Sequence, residues 1–164
     1  MTAGTILSQG TELFTVDALS SSVAAVLKLA CPTGISGLGG AKDQVEDTCL
    51  DNKEDKTFKP GLGNPGQLSV PFNFIPSHAS HQILFELKEL GSVLQWMECF
   101  SEGNDPPTLD TQDELVAPAG RTTAQFDAYV ADVTIDVATN DLVRGTLILQ
   151  RSGPVVWHWN GPTP

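Results

Sequence analysis

The clearest periodic signal in the chain lies at Leu68–Phe74. Leu68, Val70, Phe72 and Phe74 alternate with Ser69, Pro71 and Asn73, the period of a half-buried strand. Pro71 has no N–H to donate, so this strand is expected at a sheet edge, or with Pro71 turned away from its partner. The same period marks Val23–Cys31, with Val23, Ala25, Leu27, Leu29 and Cys31 on one face and Lys28 on the other. Thr11–Val16 reads as a short strand or arm anchored by Leu13 and Phe14, Val45–Leu50 as a short strand, and Val93–Phe100 as a strand with Trp96 and Phe100 on one parity. Arg121–Val137 is long and changes phase. Phe126, Ala128 and Val130 share one parity while Val133, Ile135 and Val137 share the other, so a bulge near Ala131-Asp132 would restore a single core face. Asn140-Asp141 is a hairpin turn candidate. Leu142–Gln150 runs back with Val143, Gly145, Leu147 and Leu149 on one face, and Ser152-Gly153-Pro154 turns into a last short strand carrying Val155, Trp157 and Trp159.

One segment has the helical period instead. Between His78 and Leu90, the residues Ile83, Leu84, Leu87 and Leu90 form a single apolar stripe, with Glu86, Lys88 and Glu89 off it. Ser77 is the expected N-cap and Gly91 the C-terminal stop. Burying the stripe contributes roughly 1.5–3 kcal/mol per residue, and a single helix needs a sheet to cover. The elements therefore predict a mainly β fold: a β-sandwich or open barrel with one flanking α-helix at about residues 78–90.

Two stretches carry no period. Asp51–Lys56 is almost wholly charged, and Phe58-Lys59-Pro60-Gly61-Leu62-Gly63-Asn64-Pro65-Gly66 holds two prolines and three glycines within seven residues. Residues 51–66 are therefore expected as a long loop rather than a strand or helix. Such a loop is either a solvated insertion or a contact arm whose Phe58 and Leu62 find cover on another chain. Residues 101–120, with Asp105-Pro106-Pro107, Asp110, Asp113 and Glu114, form a second acidic, irregular loop.

Composition narrows the function. The 164 residues suit one domain, and a net charge of −11 excludes nucleic-acid binding through a basic patch. Three cysteines without CxxC spacing argue against a disulfide framework. No signal peptide or membrane-spanning run is visible, so no membrane insertion and a cytoplasmic site of folding are expected. His78 and His81 share a helical face, but no third ligand has matching spacing, so two exposed imidazoles at a helix start are expected rather than zinc. His158 is expected to point to solvent. No nucleophile elbow, phosphate-cradling glycine loop or carboxylate pair in an apolar setting occurs. The chain is read as a non-enzyme without cofactors.

The order Glu46-Asp47-Thr48-Cys49-Leu50-Asp51, Phe58-Lys59-Pro60-Gly61-Leu62, Pro65-Gly66, then Leu68-Ser69-Val70 and Phe72-Asn73-Phe74 resembles the tail tube proteins of long-tailed, lambda-type bacteriophages. The resemblance extends weakly from Gly4-Thr5 to Trp157. It implies a structural virion protein, assembled in the bacterial host cytoplasm, whose subunits form hexameric rings joined into a continuous inner β-barrel. Stacked rings would enclose the tape measure protein, meet tail terminator and tail-tip proteins, and conduct DNA during ejection without binding it specifically.

The resemblance divides the single domain 1–164 into an N-terminal arm at 1–20, a ring-stacking loop at 51–66 and the second loop at 101–120. No C-terminal immunoglobulin-like domain is expected before Pro164. The stacking loop would act through Asp51, Lys53, Glu54, Asp55, Lys56, Phe58, Pro60, Gly61 and Leu62. Six copies carry 6 × −11 = −66. A polar or acidic lumen wall is therefore expected, with Ser69, Asn73, Asp127, Asp132 and Arg144 as candidates and acidic residues outnumbering Arg144. The rival readings are a monomeric β-sandwich binding a sugar or peptide on Trp96, Trp157 and Trp159, and the tube of a related contractile tail or secretion machine.

Overall fold

The computed structural model of the chain describes residues 4–19 and 22–160; residues 1–3 and 20 of the expected N-terminal arm lie outside that range. Ten strands and one helix follow in order: β1 (Glu12–Asp17), β2 (Ala25–Lys28), β3 (Lys42–Glu46), β4 (Phe58–Gly63), β5 (Gln67–Asn73), α1 (Ala79–Leu90), β6 (Leu94–Cys99), β7 (Thr108–Leu109), β8 (Leu115–Val116), β9 (Thr123–Asp136) and β10 (Arg144–His158). Six of them form one antiparallel sheet in the order β2-β1-β6-β9-β10-β5, while β3-β4 and β7-β8 are separate two-stranded hairpins. β5 is an edge strand, as Pro71 requires. The edges β2 and β5 do not pair with each other, so the sheet stays open. The chain running on from β2 meets β5 only at two isolated bridges, Pro32–Phe72 and Ser36–Ser69.

The long strands behave as their periodicity dictates. Leu68, Val70 and Phe72 of β5, Phe126, Ala128 and Val130 of β9, and Leu147 and Leu149 of β10 are buried in one cluster with Trp96 and the helix residues Ile83, Leu84 and Leu87. The phase change in β9 is a bulge: Ile148 pairs with Asp132 and Leu149 with Val130, leaving Ala131 as the extra residue. Gly145 of β10 sits under Phe72, where an added Cβ would lie 2.4 Å from the ring. Glycine is needed there to let the two strands close up.

Five features depart from the expected pattern. β2 is only four residues long; Val23 and Cys31 are exposed, and Cys31 leaves the strand with φ of 51°. The helix is capped by His78, whose ring accepts the Ser80 N–H, rather than by Ser77. Leu90, the last helical residue before left-handed Gly91, is 56% exposed and joins neither core cluster. His81 is fully buried instead of exposed. Its Nδ1 accepts the Ile75 N–H at 3.0 Å, so Nε2 carries the hydrogen and donates to the Ala30 carbonyl at 2.7 Å. The ring also lies against Phe72 and Phe74. Finally, Ser152-Gly153-Pro154 is no chain reversal. Gly153–Val155 bulge out of a continuous β10, whose register jumps from Ser152–Asp127 to Val156–Gln125.

Residues 101–120 are not a free loop. They carry the β7-β8 hairpin, and Leu115 is buried with Phe14, Met97 and Cys99 on the opposite face of the sheet from the helix. Gln95 accepts the Leu115 N–H and Gln125 donates to the Leu115 carbonyl, so the sheet satisfies the backbone of its own cover.

Candidate functional site: the hairpin arm and the open sheet face

The expected stacking loop is a two-stranded arm. β3 and β4 pair only with each other, through Glu46–Phe58, Val45–Lys59, Gln44–Pro60 and Lys42–Gly63. The strand starts at Lys42 rather than Val45, and Phe58–Gly63 is a strand despite Pro60 and Gly61. Two conditions permit this. The arm has no sheet beyond it to demand the missing proline N–H. The register is irregular between Lys42 and Gln44, where Gly61 lets the backbones approach; an added Cβ would come within 3.1 Å of the Asp43 carbonyl.

Every residue of β3 is exposed, and β4 is exposed except at Gly61. Phe58 is 50% and Leu62 84% exposed, and Leu50 and Val45 are also open to solvent. The arm is nonetheless ordered by its own bonds. Lys56 pairs with Glu46 at 3.5 Å and Lys59 with Asp47 at 3.1 Å. Thr48 accepts the Thr57 N–H at 2.9 Å, and Asn52 donates to the Asp55 carbonyl at 2.8 Å. Asp51, Lys53, Glu54 and Asp55 project at the tip with no ion pair among the described residues. An arm stiffened by local bonds and carrying uncovered apolar side chains is pre-organised for contact.

The lumen candidates are spread over three strands that register brings side by side. Ser69 lies across from Ile148, which in turn faces Asp132; Asn73 lies across from Arg144, which faces Asp136. Asp127 is exposed beside Ser152. Two of the charges are engaged within the subunit: Asp132 pairs with Lys88 of the helix at 2.9 Å and Arg144 with Asp141 at 3.2 Å. The Lys88 ammonium holds the Asp132 carboxyl below its ordinary pKa, and Asp132 raises Lys88 in return, chiefly through their hydrogen bond.

Arg121 and Glu98, like Arg151 of β10, are buried charges that the sequence pattern did not reveal. Arg121 is buried and donates to the carbonyls of Phe100, Asp105, Gly10 and Cys99 at 2.8–3.2 Å, tying β6 to the 101–120 segment and the N-terminal turn. Glu98 is 6% exposed, its Oε2 has no hydrogen-bond partner, and burial pushes its carboxyl up to about 7. A lone acid at the inward parity of Trp96 was the available signal for Glu98. Arg121 gave none, because its partners are backbone carbonyls far away in sequence.

The three tryptophans do not share one surface. Trp96 is buried with its indole N–H on the Ala128 carbonyl at 3.2 Å. Trp157 is stacked between Phe100 and Trp159, 5.0 Å from the latter. His158 reaches Gln125 at 3.2 Å. No cluster of three or more metal-ligating side chains occurs among the described residues, and both nitrogens of His81 are already committed. No helix among those residues is long and apolar enough to cross a membrane.

Residues 4–161 match the family described as phage tail tube, TTP, lambda-like. Structural protein 3 of Pseudomonas phage PAJU2 is 32% identical over 155 residues, covering 92% of each chain. Among solved structures, the SPP1 tail tube aligns with a TM-score of 0.65 at 11% identity, over 98% of this chain and 81% of that one. The sheath–tube complex of the extracellular contractile injection system PVC aligns with a TM-score of 0.62 at 14% identity, over 95% and 93%. At such identities the structural likeness carries the fold.

Proposed function

Since the chain belongs to the lambda-like phage tail tube family, a structural virion component, we propose that it polymerises as stacked hexameric rings whose β3-β4 arms join one ring to the next. The observation that carries this reading is the arm itself. It is ordered, it contributes no residue to either core cluster, and it leaves Phe58, Leu62 and Leu50 uncovered. Water disfavours that arrangement, and a neighbouring subunit relieves it. Ring closure would use the sheet edges. Among the described residues the outer edge of β2 is unpaired, and β5 is met on its outer side only by residues 31–36, through four backbone hydrogen bonds at two bridges. Lateral pairing through such edges makes a continuous barrel from six open sheets.

In this assembly the open sheet face around Ser69, Asn73, Asp127 and Arg144 lines the lumen. Its polarity lets the tape measure protein lie within and the genome pass without gripping, because each phosphate contact would have to be broken as the duplex advances. Tail terminator and tip proteins close the two ends, and assembly takes place in the host cytoplasm. Similarity to a contractile-system tube favours a common subunit plan, not a sheath for this protein.

Negative-stain microscopy and size-exclusion chromatography of purified protein test the proposal. Rings or tubes about one subunit thick in the wall are expected. Deleting Asn52–Lys56 should leave folded rings or monomers that do not stack. Tubes of normal length from that deletion would end the arm reading. A net positive potential mapped on the lumen of an assembled tube would end the lumen assignment.

A further inference from the structure

The arm's root holds an unusual charge. Arg151 continues the inward parity of Gly145, Leu147 and Leu149 on β10, and it is 5% exposed. Its Nη2 donates to the Gly39 carbonyl, its Nε has no partner, and it has no carboxylate within ion-pair distance among the described residues. Gly40 is held so close that an added Cβ would lie 2.9 Å from the guanidinium. Burial lowers the pKa of this group, but a guanidinium keeps its charge at any physiological pH.

An unpaired buried cation is costly, and it stands here in a chain with 20 acidic residues. It lines a cleft of about 660 Å³ between the arm's root and the β10 bulge, with Leu38, Pro65 and Val155 as apolar walls. Lys42, at the same rim, also has no ion pair among the described residues. The cleft thus asks for a group with an apolar body and a carboxylate.

The arm's tip has that chemistry. Leu50 is fully exposed and Asp51 follows it unpaired. Lys42 to Leu50, extended at about 3.3 Å per residue, spans up to ~26 Å, so a tip cannot reach its own root while β3 and β4 stay paired. We propose that the Leu50-Asp51 tip of one copy seats in the Arg151–Lys42 cleft of a second copy, Asp51 supplying the missing counter-charge and Leu50 filling the apolar walls. The contact is head-to-tail, since tip and root are different surfaces, and such a contact can repeat along an axis where its rotation closes no ring. This inference rests on the stacking-arm reading and names the receptor that reading lacks.

The test is a charge exchange read by tube yield at fixed protein concentration. Asp51→Lys and Lys42→Glu should each lower the yield at least tenfold, with melting temperatures unchanged. The double variant should recover only part of it, because the rim pair is restored with its signs exchanged while Arg151 still lacks its counter-charge. A second readout uses the native thiol beside the tip. In tubes of the Lys42→Cys protein, mild oxidation should yield a ladder of disulfide-linked chains through Cys49 of the neighbour, and Cys49→Ser should abolish it. Normal tubes from both single variants, no recovery in the double, or cross-links that persist in Cys49→Ser would overturn the proposal. If the Asn52–Lys56 deletion blocks stacking while both charge reversals do not, the arm docks elsewhere and only this inference falls. If the deletion itself stacks normally, the arm reading falls with it.

Discussion

Two segments of this chain look alike in composition and differ in everything physical. Residues 42–63 and 101–120 are both rich in charge, proline and glycine, and each folds as a hairpin. The first stands off the sheet with its apolar residues in water. The second lies on the sheet, with Leu115 buried and its backbone bonded to Gln95 and Gln125. What separates them is the presence of a receiving surface. Phe14, Met97 and Cys99 give β1 and β6 a second buried face, and the 101–120 segment is its cover. Among the described residues nothing covers the arm.

The comparison can be broken at the cover first. Arg121→Met removes the four hydrogen bonds that tie β6, the 101–120 segment and the N-terminal turn together. Charge-assisted bonds buried at this depth predict a loss of about 3–5 kcal/mol in denaturant unfolding. A loss below 1 kcal/mol would mean the cover is held by packing alone. Leu115→Ala tests that packing separately, and a cost of about 3 kcal/mol is expected from the cavity left behind.

Glu98 sharpens the contrast between buried and exposed acids. Its folded-state pKa is raised, so its contribution is fully present below the unfolded value of about 4.5 and is lost as pH rises through about 7. Wild-type stability should therefore fall by about 3 kcal/mol relative to Glu98→Gln between pH 4 and pH 9. Parallel stability curves for the two proteins would show that the carboxyl is ionised when buried. The smallest effect belongs to the arm. Leu62→Ser should shift stability by less than about 0.5 kcal/mol while lowering tube yield, and a large stability loss would place the arm in a core after all.

The same contrast explains what could be read from sequence. β5, β9 with its bulge and the first half of β10 were legible because each buries one face, which writes alternation into the chain. The stripe Ile83, Leu84, Leu87 was legible for the same reason. The arm was not, since a strand exposed on both faces has no burial to impose a pattern, and Pro60 and Gly61 then read as breakers. Leu90 fitted the stripe but lies at the helix's last residue, where periodicity says nothing about the extent of the sheet beneath. His81, Arg121 and Arg151 were opaque because what accommodates a buried polar side chain is a set of distant backbone groups. The segment expected as a loop overlaps the β3-β4 hairpin along the chain, but its shape was misread, and the basic cleft at its root was visible only as an arginine at an inward parity.

Gly145 has a consequence that reaches into the protein's history. Its missing side chain admits the ring of Phe72. Phe72 lies 4.6 Å from the ring of His81, and His81 fastens the helix start to Ala30 and Ile75. A mutation that enlarges position 145 therefore arrives at the helix cap through two intervening rings. Positions 145, 72 and 81 are thus sterically coupled. A larger residue at 145 should be tolerated only where a smaller one already stands at 72, and related tubes that have lost the glycine should have lost the phenylalanine with it.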